Sequence, residues 1–373
     1  MHTRSGWLCA LDSFKGTVDS TTAARCLARG LHPLPVRVLP MGDGGEGTAL
    51  AVEASQGGRW IEVSLSPSRR GGAPQKGRWL DLGNRSALVE FAEGAAFGKD
   101  AADHPPDPGQ MTSHPVGELI ASALDSGARR LVIGLGGSGT IDGGAGALQA
   151  LGGRFRAAGR TLATPITGAT LQVLDAVDLT EVRDRFQGIS CTLAADVAIP
   201  LLGPHGAIFQ FGPQKGLRPG ELALFEAGMR RFRRLMGGGI DHRGDGAAGG
   251  AGFGLRTGCG AHLVSGAELV GDLVGLQDAC SSAEWVVTGE GCYDHQTRQG
   301  KVPWAVAHRA KASGAKVALV AGRIQPAQLA EVKQLFDCHL ELADFELPGA
   351  AGSDPKSVLE DAGRSLRLRV AGS

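Results

Sequence analysis

The chain has 373 residues, 42% of them apolar and 20% charged, which is the balance of a soluble globular protein and excludes a disordered one. Lysine plus arginine equals aspartate plus glutamate at 38 each, so no global field draws the chain toward nucleic acid or an anionic membrane, and neither is expected as a partner. The 7 cysteines include no C-x-x-C pair and suggest neither a disulfide framework nor a zinc site; with no run of about 18 apolar residues, the expected location is the cytoplasm. A chain this long exceeds the size at which single cores stop growing, so two domains are expected.

Residues 7–11 are a short apolar run that ends at Asp12, the pattern of a buried parallel strand meeting a loop. A helix over 20–31 follows, then a strand over 36–40, an acidic glycine loop, and a helix from 48 to 54. Alternating runs at 60–65, 77–82 and 87–91 predict a small antiparallel group. Residues 101–110 are proline-rich and read as an exposed loop. The parallel pattern returns as a helix over 118–125, a strand over 130–135 and a helix over 143–151. Strands at 285–288 and 316–320 also end in glycine loops and flank a helix near 303–313. The repeated order of strand, glycine loop and helix is α/β architecture, with ligands at the carboxyl ends of the strands. The expected layout is a Rossmann-like parallel-sheet domain built from both chain ends, residues 1–62 and 264–373. An inserted α/β domain occupies 63–263, and 112–150 fits either. The basic run Met229 to Arg234 reads as a solvated helix face.

The 59 glycines are roughly twice the ordinary share of about 7%. They crowd around an acid, a hydroxyl or a lysine at Asp12-Ser13-Phe14-Lys15-Gly16, residues 42–48, 134–139, 142–144, 212–216 and 246–254, and at Gly289-Glu290-Gly291. Glycine lets backbone N–H groups approach a ligand, which suits an anionic, phosphorylated substrate. Lys15, Lys215 and Lys301 each sit beside a glycine within or next to these segments, as compact charges for phosphate oxygens. Residues 134–139 fit G-x-G-x-x-G after a strand, yet no acid lies between Asp142 and Asp175 to take ribose hydroxyls, so a dinucleotide site is not supported. The lysines of Gly98-Lys99-Asp100 and Gly300-Lys301-Val302 lack the Ser or Thr of a P-loop, and neither H-E-x-x-H nor G-x-S-x-G occurs.

Taken in order, the segments resemble the class I glycerate kinase family over nearly the whole chain. The family's D-S-F-K-G is matched by residues 12–16 and its D-G-G-E-G-T by 43–48. The central G-G-S-x-T-x-D-G-G-A-G-x-L-Q-A-L-G is matched by 136–152. The D-V-x-x-P-L-L-G-P-x-G-A and F-G-P-Q-K-G segments are matched by 196–207 and 211–216, and T-G-E-G-x-x-D-x-Q-T-x-x-G-K-x-P by 288–303. The resemblance implies ATP-dependent, magnesium-assisted phosphorylation of D-glycerate, to 2-phosphoglycerate, in a cleft between two α/β domains. The alternatives are a kinase of another small hydroxy acid and an inactive binding or regulatory relative. A homodimer is left open.

Within that reading, Lys15 and Lys301 are the candidates for neutralising phosphate charge, helped by glycine-loop N–H groups. Asp43 and Glu46 are the candidate magnesium ligands, with capping of the helix near Thr48 as the competing role. Asp196, after the apolar run 191–195, is the first choice of general base and Asp294 the second. Ser138 and Thr140 are expected to donate to an anion, and Arg323 to clamp a carboxylate or phosphate or else to form a surface ion pair. Asp12, Ser13, Gly44, Gly45, Gly136, Gly137, Lys215, Glu290 and Gln296 complete the expected substrate and phosphate contacts. The chain departs from the family pattern at Ile141 and Ile199, where Asn is expected, at Cys292, where a basic residue follows G-E-G, and at Pro115, where glycine is preferred.

Overall fold

The computed structural model describes residues 6–96, 107–345 and 354–371. In chain order the strands are β1 (Trp7–Cys9), β2 (Val36–Val38), β3 (Arg59–Leu65), β4 (Gln75–Gly83), β5 (Ser86–Glu90), β6 (Arg130–Gly134) and β7 (Arg154–Ala157). They continue as β8 (Arg160–Thr161), β9 (Ala176–Asp178), β10 (Ser190–Ala194), β11 (His262–Val264), β12 (Trp285–Tyr293), β13 (Lys316–Ile324) and β14 (Cys338–Glu341). The fold is mixed α/β, and the described residues fall into two compact units. One comprises the chain up to Asp43, Leu50–Gly57 and everything from Ser265 onward; the other comprises Gly44–Ala49 and Gly58–Val264.

The first unit is a parallel sheet in the order β14-β13-β12-β1-β2. Its inner strands are continuous apolar runs because helices cover both faces of such sheets; Leu8, Cys9, Val286, Val287, Leu319 and Val320 are all buried. Trp7 lies opposite Trp285 in register, and their rings stack at 5.3 Å. The helix Ser20–Leu31 starts where Asp19 accepts from the Thr22 N–H at 2.8 Å, satisfying a donor that the helix leaves open. The carboxyl-terminal helix Pro355–Ala371 shares its core, with Leu359, Ala362 and Leu366 buried alongside Leu27 and Leu31 and an Arg29–Glu360 ion pair at 3.0 Å.

Two expectations change here. β12 and β13 run on through residues expected as glycine loops, pairing Glu290 with Ala321 and Cys292 with Arg323. A side chain at Gly289 would put its Cβ 2.0 Å from the Val320 carbonyl oxygen, so this glycine admits a neighbouring strand.

The second unit holds a six-stranded sheet in the order β11-β10-β6-β5-β4-β3. β3, β4 and β5 are antiparallel as their alternation indicated, but β5 pairs in parallel with β6, making them the flank of a larger sheet. A separate antiparallel sheet has the order β8-β7-β9. Residues 112–150 belong to this unit. Of the proline-rich stretch, 101–106 and the Gly98-Lys99-Asp100 motif lie outside the described residues, whereas Pro108 and Gly109 form a buried turn, contrary to the exposed loop expected. The glycines of 246–254 are buried, and Ala248, Gly249 and Gly250 hold positive φ at a kink inside the helix Ala247–Cys259. A Cβ on Gly249 would lie 1.9 Å from the Thr140 carbonyl oxygen, so this segment packs against the 140–144 loop rather than opening to a ligand.

Candidate active site

In the first unit's sheet the strands, counted along the chain, stand in the order 2-1-3-4-5. The order reverses between β1 and β12, and in doubly wound sheets ligands bind at that point, beyond the carboxyl ends of the strands. β1 is extended toward it by the N–H of Asp12 donating to the Gly289 carbonyl at 2.9 Å. The next residues close a small turn, in which Phe14 and Val18 exchange backbone hydrogen bonds at 2.8 and 3.0 Å, and Lys15 stands at its tip. Beyond β2, Met41 donates to the Leu11 carbonyl at 3.0 Å, which carries Asp43 alongside. Lys15 Nζ, with 74% of its side chain exposed, is 3.0 Å from Asp43 Oδ2.

Glu290, on β12, is buried and accepts from the Thr297 hydroxyl at 2.6 Å. Asp294 accepts from the Gln296 N–H at 2.8 Å and lies 3.7 Å from Lys301 Nζ. Asp12, Lys15, Asp43, Glu290, Asp294 and Lys301 thus line one cavity of about 470 Å³, in the size range of small-ligand sites. Burial, then the charges of Asp43 and Glu290, hold the Asp12 carboxyl well above the usual carboxylate range, against the Ser13 N–H and Lys15. Burial likewise raises Glu290 to about 7, with Asp294 adding and the Thr297 hydroxyl, Lys301 and Lys15 opposing. Carboxyl groups that ionise reluctantly together are relieved by a cation. Magnesium takes one or two carboxylates and fills its shell with water and phosphate. The pair Asp12 and Asp43 suits that mode, since among the described residues no group of three or more His, Cys, Asp or Glu is placed to hold a metal ion.

The second unit carries its own polar cluster beyond β6 and β10. Lys215 is buried and donates to Ser138 Oγ at 3.0 Å and to the Thr140 carbonyl at 2.8 Å. Burial lowers its pKa to about 7, with the Asp142 charge opposing. Asp142 is wholly buried and accepts from the Ser113 N–H and hydroxyl at 2.7 and 2.8 Å and from the Gly144 N–H at 3.1 Å, so it braces this loop. The Thr140 hydroxyl is buried and meets no hydrogen-bond partner among the described residues. Asp196, just past β10, is half-buried. Gly136 donates to the Gly44 carbonyl at 3.1 Å, and a Cβ on it would lie 2.4 Å from the Gly45 Cα. Those glycines therefore have a packing reason of their own; Gly137 holds a positive φ of 72°.

Asp43 belongs to the first unit, whereas Glu46 belongs to the second and is exposed. The helix beginning at Thr48 is held by Glu90, which accepts from the Ala49 N–H at 2.7 Å. Sequence reading missed Glu90, whose only signal is an acid at the end of an apolar strand. Burial raises its pKa to about 7, opposed by the N–H groups of Ala49 and Gly47.

Comparison with known proteins decides the family. The glycerate kinase family model matches residues 7–366. The chain is 37% identical over 327 residues to the glycerate kinase of Bacillus subtilis (strain 168), covering 85% of each. It is 33% identical over 330 residues to the glycerate 2-kinase of Escherichia coli (strain K12), covering 84% of each. It also superposes with a TM-score of 0.83 and 31% identity on the crystal structure of a Salmonella typhimurium LT2 protein whose assignment as glycerate kinase 2 is provisional, covering 99% of both chains. The chain belongs to the glycerate kinase family.

For a glycerate kinase family member, three of the four departures from pattern are absorbed locally. Ile141 is 1% exposed and packs against Gly168. Pro115 sits in the first turn of the helix His114–Asp125, where a missing N–H costs no intrahelical bond. Ile199 accepts from the N–H groups of Gly244 and Gly246 through its backbone carbonyl, at 3.0 and 3.2 Å, which any residue provides. Cys292 is exposed and lines the first unit's cavity, so the altered position faces the site. Arg323 is exposed on β13 and does not line that cavity. No described helix is long and apolar enough to cross a membrane.

Proposed function

We propose that this kinase transfers the γ-phosphoryl group of ATP to D-glycerate, giving 2-phosphoglycerate, with magnesium assisting. The observation that carries the proposal is the convergence of Lys15, Lys301 and several carboxyl groups on one cavity at the strand-order reversal, in a chain of this family. The 2-position is favoured by the similarity to a protein named glycerate 2-kinase.

Phosphoryl transfer asks the protein chiefly to align two oxygens about phosphorus and to offset charge. Lys15 and Lys301 neutralise phosphate oxygens. Asp12 and Asp43 would hold magnesium, which would offset charge on the phosphates. The glycerate hydroxyl oxygen bonds to the γ-phosphorus as the bond from that phosphorus to the bridging oxygen of ADP breaks, and the hydroxyl proton passes to a carboxylate. Asp196 is assigned that proton and Asp294 is its rival, because Asp294 already faces Lys301. Ser138, Lys215 and the Thr140 hydroxyl, which meets no partner among the described residues, form an anion-binding group suited to a carboxylate.

A panel of small hydroxy acids, supplied with ATP and magnesium to the purified protein, tests the reading. ADP release with D-glycerate well above every other acid supports it; preference for another acid, or none, overturns it.

A further inference from the structure

The cavity of the first unit has a lining that phosphoryl transfer leaves unused. Its polar groups come from strand ends and the loops that follow them, whereas the rest of the lining is apolar: Phe14, Val18, Leu342, Val358 and Leu359. Phe14, Val18, Val358 and Leu359 are between 1% and 8% exposed, so this wall is well packed. Glycerate, with a carboxylate and two hydroxyls on three carbons, has no face for such a surface. A purine base has two.

We propose that the adenine of ATP binds in the first unit, against the apolar wall that the helix Pro355–Ala371 contributes to this cavity. The inference rests on the reading of the protein as an ATP-dependent kinase and adds the place of the base. The turn between Phe14 and Val18 presents Lys15 toward phosphate while its flanking apolar side chains face the same cavity, so one short segment serves both ends of a nucleotide. The helix is fixed before any ligand arrives, by the Arg29–Glu360 pair and by Leu359, Ala362 and Leu366 in the core, so little ordering is required on binding. A cavity of about 470 Å³ that sets an apolar wall beside convergent charged groups fits the general pattern of cofactor sites.

Photolabelling with 8-azido-ATP tests this on the intact protein without requiring turnover. Label is expected on the tryptic peptides 357–364 and 16–25, and excess ADP is expected to suppress it. ADP-sensitive label within residues 58–264, or no ADP-sensitive label at all, overturns the proposal. Label on 357–364 without phosphorylation of D-glycerate would sink the acceptor assignment alone, and phosphorylation with label confined to 58–264 would sink the adenine site alone. A Val358→Phe variant supplies the kinetic counterpart. It is expected to raise KM for ATP by about tenfold while leaving KM for D-glycerate within about twofold. An unchanged KM for ATP, or an equal rise in both, contradicts it.

Discussion

Replacing Glu290 by glutamine probes the electrostatics of the candidate site without disturbing its shape. Glutamine keeps an oxygen to accept from the Thr297 hydroxyl, 2.6 Å away, and removes the charge. The Glu290 carboxyl is raised from 4.5 to about 7 in the folded chain, first by burial. Between those two values the folded chain holds a proton that the unfolded chain has released. The parent's stability therefore falls as pH rises from about 4.5 to about 7, and stays lower above that window. At about 1.4 kcal/mol per unit of pKa difference, ionised Glu290 costs the native state about 3 kcal/mol at pH 8 and under about 1 kcal/mol at pH 5. Glu290→Gln should thus exceed the parent in stability by about 2–3 kcal/mol at pH 8, with most of the gain gone at pH 5. Urea unfolding at pH 5, 6.5 and 8, followed through the stacked Trp7 and Trp285, measures the difference directly. Glu90 titrates in the same window but is common to both proteins and cancels. A stability difference that does not change with pH, or a variant weaker than the parent at pH 8, would refute the reasoning.

The second unit yields the opposite pH dependence. Lys215 is lowered from 10.5 to about 7 by burial, so between those values the unfolded chain carries the extra proton and stability rises with pH. The stability of Lys215→Met relative to the parent should fall by about 1.4 kcal/mol per pH unit between about pH 7.5 and 9.5, as denaturant titrations would show. Gly249→Ala should destabilise by more than about 4 kcal/mol, because its Cβ would meet the Thr140 carbonyl oxygen at 1.9 Å and its φ is 63°; a near-parental melting temperature would contradict the packing account. Asp196→Asn should lower kcat by about 10²–10⁴ with KM for ATP little changed. A larger loss of kcat in Asp294→Asn would transfer the proton-accepting role there.

Local patterns in the sequence go far toward the elements. The run Trp7 to Leu11 ending at Asp12 reads directly as β1, and the helix expected over 20–31 is found as Ser20–Leu31, because both patterns are local. What failed to read locally depends on distant partners. Gly289 resembles a loop glycine until β13 is placed beside it, and the glycines near Gly249 resemble ligand loops until the 140–144 loop is packed on them. The membership of β5 in a larger sheet is settled by pairing with β6, across the helix His114–Asp125. In the candidate site, Asp12, Lys15, Asp43, Glu290, Asp294 and Lys301 were all named from motifs and line one cavity. Glu90 escaped notice because its contact spans 41 residues, and the apolar wall at Val358 and Leu359 escaped because nothing in a helix sequence tells whether an apolar side chain faces core or cavity.

The central claim is tested most directly by phosphorus NMR of the purified protein with ATP, magnesium and D-glycerate. The account predicts stoichiometric loss of ATP and a single new phosphomonoester, 2-phosphoglycerate. ATP consumption no faster than in the absence of acceptor, or a product phosphorylated at the 3-hydroxyl, would contradict it.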